Sequence, residues 1–417
     1  MIALIAIPIL TSCQKTEDAF LNEHAPETND MLSTTFLPDS TAKESSYKIA
    51  IFTDLHTYEA ETISILKAEE QYKERIVKYI AAYDSVNEIL EQEDLTGDAL
   101  HFIADPEIKV FIFVAGGYMK EPANFLKMLK EIRPNIFYIV AYCYSPFLLA
   151  SIDENQFFEY VDLKLSINQE ATAIKAVKQA KKMGAMACID YSSPDRRYNM
   201  TELELRMLPK IRSVLEAESA IQNIKYIEEY CPEIYSDIGG YRLIYWPMSD
   251  MEEKYSEYGN DICGFSNNCL FQMKLDEFAS YSFNKGIVVQ LCHPGLFHNK
   301  RYSSHRSLLM YIIDSEKHFG DLEWTIEKLK EHLKSEKTTG RFATWRVPFS
   351  MVATTAAVEY AINYCEGNLD SKVDLDAMRE CFQNAMEMYN AGDIEFELNR
   401  DAEHDNHIMF TQDYIIF

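Results

Sequence analysis

From Lys48 onward, short apolar runs alternate with charged, helix-prone stretches, and this alternation limits the chain to few architectures. Lys48-Ile49-Ala50-Ile51-Phe52 reads as a strand closing in Thr53-Asp54, followed by a helix over about 57–73. The next strand is expected at 76–80, and a helix should end near Ala104, because Asp105-Pro106 blocks its continuation. Strand 109–115 runs into Gly116-Gly117; a helix over 122–133 stops before Pro134, and strand 136–141 follows. The pattern continues with strand 162–166 and helix 169–183, which has Ala171, Ile174, Val177 and Met183 near one stripe. Strand 185–190, a helix capped by Thr201, and strands 224–229, 261–265 and 286–291 complete it. Repeated strand–helix units imply mostly parallel sheets with right-handed crossovers. They are too many for one sheet of ordinary width. The expected fold is α/β, with two Rossmann-like lobes on parallel sheets. After about Pro294 the pattern turns helical, near 304–318, 322–335, 349–364 and 374–389, and 404–417 reads as a hairpin or terminal strand.

The N-terminus carries a different signal. Leu10-Thr11-Ser12-Cys13 closes an apolar run from Ile2 to Leu10 and reads as a lipobox, with small residues before a Cys that is diacylated. Met1-Ile2-Ala3 lacks the basic start of a secretory signal, so 1–13 is expected to be a truncated lipoprotein signal peptide. Residues 14–45 are polar, hold Pro26 and Pro38, lack apolar periodicity, and read as a disordered tether. The remainder is then expected outside the cytoplasm, lipid-anchored to the cell membrane through Cys13.

Composition narrows the function. An apolar content of 47% supports real cores in a chain of 417 residues. No stretch after the first approaches the roughly 18 unbroken apolar residues of a membrane span. A net charge of −26 argues against nucleic acid, since phosphate binding needs a basic face. With Cys13 set aside from the nine cysteines, the remaining eight form no CxxC, and several fall inside expected strands as small hydrophobes.

In open α/β sheets, ligands lie beyond the carboxyl ends of the strands. Those ends are rich in polar and small groups here, and Asp54, His56, Gly116, Tyr142, Tyr191, Ser192, Asn267 and His293 are the candidate ligand-binding residues. Asp and Asn would bond hydroxyls and amines, and Tyr faces would cover apolar edges. Trp345 is a further candidate, as a hinge or stacking wall, with core anchoring as the alternative. Asp54-Leu55-His56 also matches the Asp-x-His opening of a two-metal phosphoesterase. The further ligands of that site are not evident, because Gly97-Asp98 falls in an expected helix and no Gly-Asn-His occurs. Gly-x-Ser-x-Gly, a P-loop and His-Glu-x-x-His are all missing, and no cofactor is expected.

Several ordered blocks carry a resemblance. They are Lys182-Met183-Gly184-Ala185 leading to Tyr191-Ser192-Ser193-Pro194-Asp195-Arg196, and Tyr258-Gly259-Asn260-Asp261 leading to Phe265-Ser266-Asn267-Asn268-Cys269. The stretch from Gly340 to Pro348, then Ala357-Val358-Glu359-Tyr360-Ala361, His404-Asp405-Asn406 and Asp413-Tyr414-Ile415-Ile416-Phe417 continue it. Together they resemble a family of bacterial lipoproteins whose members look like type I periplasmic binding proteins, the two-lobed solute receptors. The resemblance implies a hinge and lobes built from discontinuous segments, 46–168 plus 286–345 and 169–285 plus 346–417. It brings no ligand. Joined to the polar strand ends, the two-lobed form leads to the expectation of a small polar organic ligand held between the lobes and passed to an ABC permease or a membrane sensor. The alternatives are a ligand-sensing or interaction lipoprotein without transport, and the Asp54/His56 phosphoesterase; DNA binding is not expected.

Overall fold

The computed structural model describes residues 47–54, 59–81, 104–115, 122–143, 159–190, 202–228, 237–238, 241–242, 254–265, 286–289, 322–335 and 337–417. Its strands, in chain order, begin with β1 (Lys48–Asp54), β2 (Ile76–Ala81), β3 (Ile108–Ala115), β4 (Phe137–Cys143) and β5 (Leu163–Ile167). Next come β6 (Ala187–Asp190), β7 (Lys225–Glu228), β8 (Asp237–Ile238), β9 (Tyr241–Arg242), β10 (Ile262–Phe265), β11 (Ile287–Val289) and β12 (Phe342–Thr344). The last are β13 (Phe396–Arg400), β14 (His407–Gln412) and β15 (Ile415–Ile416). The helices are α1 (Glu59–Tyr72), α2 (Pro122–Ile132), α3 (Gln169–Lys182), α4 (Glu202–Ile221), α5 (Leu322–Ser335), α6 (Phe349–Glu366) and α7 (Leu375–Met388).

The strands form two main sheets, as the alternation predicts. The first has the order β13-β14-β5-β4-β3-β1-β2 and the second β15-β12-β11-β10-β6-β7. Each is parallel apart from one antiparallel edge pair, β13 with β14 and β12 with β15. β1 shows why its sequence is a nearly unbroken apolar run: both of its faces are covered. Ile49 and Ile51 enter the main core, which also holds Val352, Ala356 and Tyr360 of α6. Phe52, from the opposite face, stacks on Phe113 at 5.3 Å and on Phe111 at 6.0 Å.

Helix α6 is apolar nearly all round, from Phe349 to Ile362, because it packs on α1, α7 and the first sheet. It stops at Gly367, whose φ of +74° is left-handed and whose N–H returns to Asn363 O and Tyr364 O. A Cβ added there meets nothing within 4 Å, so only backbone strain opposes it. Gly367→Ala is expected to cost about 1 kcal/mol, read as a lower denaturation midpoint. Helix α7 starts at Asp374, whose side chain accepts the N–H groups of Asp376 and Ala377.

Two sequence expectations need correction. In α3 the buried residues are Thr172, Ala173, Ala176, Val177, Gln179 and Ala180, so Val177 faces inward as expected, while Ala171 and Ile174 are only half-buried. The inner face therefore carries polar Thr172 and Gln179 among its alanines, which an apolar stripe read from the sequence passes over. The division of the chain also differs. β11 extends the second sheet by pairing with β10, and β12 adds to β11, whereas 286–345 was expected with the first. Conversely, β14 pairs with β5, and α6 packs on β1, β3 and β4, although 346–417 was expected with the second. A strand's own sequence states its period; its neighbour is chosen by which sheet edge is open. The chain passes between the sheets three times, at β5 to β6, β12 to α6, and β14 to β15.

Candidate functional site at the strand ends

Both sheets contain the same five-strand parallel core. β2-β1-β3-β4-β5 and β7-β6-β10-β11-β12 each follow the order 2-1-3-4-5. In such a sheet the chain leaves its first strand in opposite directions on either side, and a crevice opens at the carboxyl end between the first and third strands. The two switch points lie between β1 and β3 and between β6 and β10. The first strand at each one ends in aspartate, Asp54 on β1 and Asp190 on β6.

Asp190 is fully buried and is the centre of a polar cluster. It aligns with Phe265 on one side and Glu228 on the other. It alternates with Ile189, so its side chain shares the face of Cys188, which packs with α3 and α4 residues such as Ala173 and Ile211. Tyr226 Oη donates to Asp190 Oδ2 at 2.9 Å. Arg212 Nε lies 3.6 Å from the same oxygen, and Arg212 Nη1 donates to Glu228 Oε1 at 2.6 Å. Burial, and then the Asp190 charge, push the Tyr226 phenol well above its ordinary pKa, so it stays a donor. Ile211 and Leu215 anchor α4 on the sheet and fix where Arg212 emerges. Arg212 Nε and Nη2 are buried and take no hydrogen bond among the described residues. A guanidinium so placed has donors to spare for carbonyl, hydroxyl or carboxylate oxygens.

Of the expected ligand residues, Asp54 closes β1 and Tyr142 lies on β4 beside Val114. His56, Gly116, Tyr191, Ser192, Asn267 and His293 lie outside the described residues, as does Cys13. Trp345 directly follows β12 and is 4% exposed. Its ring meets Phe410 edge-on at 5.8 Å and lies 6.4 Å from Tyr414, the packing of a core anchor at a crossover. Sequence reasoning passed over Asp190, Arg212, Tyr226 and Glu228. The Asp54/Asp190 parallel was the available signal for the first; nothing in α4 marks Arg212 among its polar residues. Among the described residues no group of three or more His, Cys, Asp or Glu could hold a metal. No helix among them is long and apolar enough to cross a membrane. Cys188, Cys263 and Cys381 are free and buried, as small core residues.

The family model described as "Protein of unknown function (DUF3798)" matches residues 47–343, from the start of β1 into β12. The chain belongs to the DUF3798 family. No curated protein matches it. This DUF3798 protein is similar in fold to a protein of Clostridium difficile 630 described as a candidate transcriptional regulator. The two share 18% identity at a TM-score of 0.68, over 89% of this chain and 99% of the other. A sugar ABC transporter protein of Actinomyces odontolyticus matches with a TM-score of 0.45 and 10% identity, over 78% and 86% of the two chains. A periplasmic sugar-binding protein of Legionella pneumophila matches with a TM-score of 0.41 and 12% identity, over 78% and 97%.

Proposed function

We propose that this DUF3798 protein is an extracytoplasmic, lipid-anchored receptor that captures a small polar organic solute at the carboxyl ends of its two sheets. The observation that carries this reading is the repetition of one topology in both sheets, with an aspartate at each switch point. Two such crevices with acidic ends, one backed by Arg212 and Tyr226, suit a ligand bearing hydroxyl or amine groups. The chain crosses between the sheets three times, and short crossovers act as a hinge when a ligand draws two lobes together. Lipid on Cys13 would hold the receptor at the membrane, beside an ABC permease or a sensor that takes over the solute.

The test is thermal unfolding of the protein from Thr41 onward, with sugars, nucleosides, amino acids and short peptides. A ligand at a hundredfold excess over Kd adds about 2.7 kcal/mol of stability. One chemically coherent class is expected to raise the midpoint, and Asp190→Asn to remove that shift while the protein stays folded. Shifts that survive both Asp190→Asn and Asp54→Asn would place binding elsewhere. Radiolabelled fatty acid should enter the full-length protein in cells but not the Cys13→Ala variant.

A further inference from the structure

On the first sheet, β5 and β14 bring together a serine, a histidine and an aspartate that the solute site does not use. Ser166 Oγ lies 2.7 Å from His407 Nε2, and His407 Nδ1 lies 3.2 Å from Asp401 Oδ2. β14 pairs with β5 in parallel, with His407 beside Lys164 and Met409 beside Ser166, so Lys164, Ser166 and His407 share one face. Asp401 stands in the turn between β13 and β14. Its Oδ1 accepts the N–H of Glu403 at 2.7 Å and that of His404 at 3.2 Å, which leaves Oδ2 toward the ring. The backbone N–H of Asp401 donates to His407 O at 2.9 Å, which holds the two residues together. His407 is buried and Ser166 is half-buried.

The arrangement has the sequence of contacts that activates a serine: a carboxylate on one ring nitrogen and a hydroxyl on the other. The tautomer with its proton on Nδ1 faces the carboxylate and leaves Nε2 to accept the serine proton. Burial, and the positive charge of Lys164, keep the imidazole neutral. The Nδ1 contact with Asp401 has the distance of an ion pair and is off-line for a straight hydrogen bond, as resting catalytic groups often are.

We propose that Ser166 is a nucleophile toward activated acyl and phosphonyl compounds, with His407 as its base and Asp401 as the residue that positions the ring. Ser166 Oγ attacks the carbonyl carbon of an ester and its proton passes to His407 Nε2. The bond to the leaving oxygen breaks as that oxygen takes the proton from His407. A water then attacks the acyl carbon and gives its proton to the same nitrogen, and the bond to Ser166 Oγ breaks as that oxygen takes the proton back from His407. A buried imidazole held neutral is a weak base, so the reaction is slow and the substrates are those with good leaving groups.

The whole chain incubated with a fluorophosphonate tests this. Ser166 Oγ forms the bond to phosphorus, fluoride leaves, and the adduct is mapped by peptide mass spectrometry. The native protein is expected to carry it on Ser166, with no adduct there after urea unfolding. S166A should lose it, and D401N and H407Q should slow labelling at least tenfold. The labelling rate should fall as the pH is lowered and His407 takes up a proton. Native protein with no adduct at Ser166, labelling confined to other residues, or equal rates in wild type and folded H407Q would overturn the proposal. The solute assay depends on Asp54 and Asp190, so either reading can fail alone.

Discussion

Phe410→Ala is expected to destabilise the protein by roughly 3–5 kcal/mol, the usual cost of emptying a buried phenylalanine site. Phe410 is fully buried on β14, and four rings meet it from four different segments. Phe382 of α7 stacks at 5.0 Å, Phe349 of α6 sits at 5.6 Å, Phe396 of β13 at 5.8 Å and Trp345 at 5.8 Å. These neighbours are pinned by a sheet, two helices and a crossover, so the cavity cannot collapse around the missing ring. The loss is read as a lower midpoint in urea with an unchanged slope. Phe410→Leu keeps much of the volume and should cost less. A shift under about 1 kcal/mol for the alanine variant would mean that the aromatic cluster repacks freely.

Acidification is expected to unload a second large stability contribution, at His407. Burial, then the Lys164 charge, lower its pKa to about 3, against the partly compensating pull of Asp401. His404 in the same turn also opposes its protonation. For Asp401 itself burial acts upward, but the N–H of Glu403, the His407 ring and the N–H of His404 bring its carboxyl below the ordinary value. An unfolded histidine takes up its proton near pH 6.5, while the native one resists. Between about pH 6.5 and 3 the unfolded chain therefore binds more protons, and stability falls as pH falls. Each pH unit in that window costs roughly 1.4 kcal/mol. His407→Asn cannot titrate, so its deficit relative to wild type should shrink by roughly 2 kcal/mol between pH 7 and pH 5. Parallel stability curves for the two proteins over that range would refute the assignment.

The parallel cores were legible because strands buried on both faces are written as apolar runs, as in β1, β3 and β6. β13 was missed because Phe-Glu-Leu-Asn-Arg buries only Leu398 and lies at a sheet edge. β12 was missed because three residues carry no period. The division between the sheets was misplaced for a related reason: nothing local in 286–345 or 396–412 names the partner strand. Of the candidate site, the strand positions of two residues were legible. Asp54 and Tyr142 fall at strand ends as expected, because the ends of apolar runs mark them. Arg212 reaches Asp190 through the packing of α4, and Ser166 reaches His407 through a strand pairing, and neither meeting is written in spacing. The same applies to Cys188 and Cys263, which become side-by-side neighbours only when β6 and β10 align.

The pairing of β14 with β5 also sets the order in which the molecule is made. Ser166 and its partner His407 stand 241 residues apart, with the whole second sheet core between them. While the chain is emerging from the ribosome, β5 offers an unpaired edge until residues 407–412 arrive. The first lobe is begun first and closed late, after the β6–β12 core has been synthesised. Loop closure over such a length slows folding, and the waiting edge is a template for mispairing with another copy. A nascent chain stopped before β13 should therefore bind holdase chaperones and aggregate, while the full chain escapes.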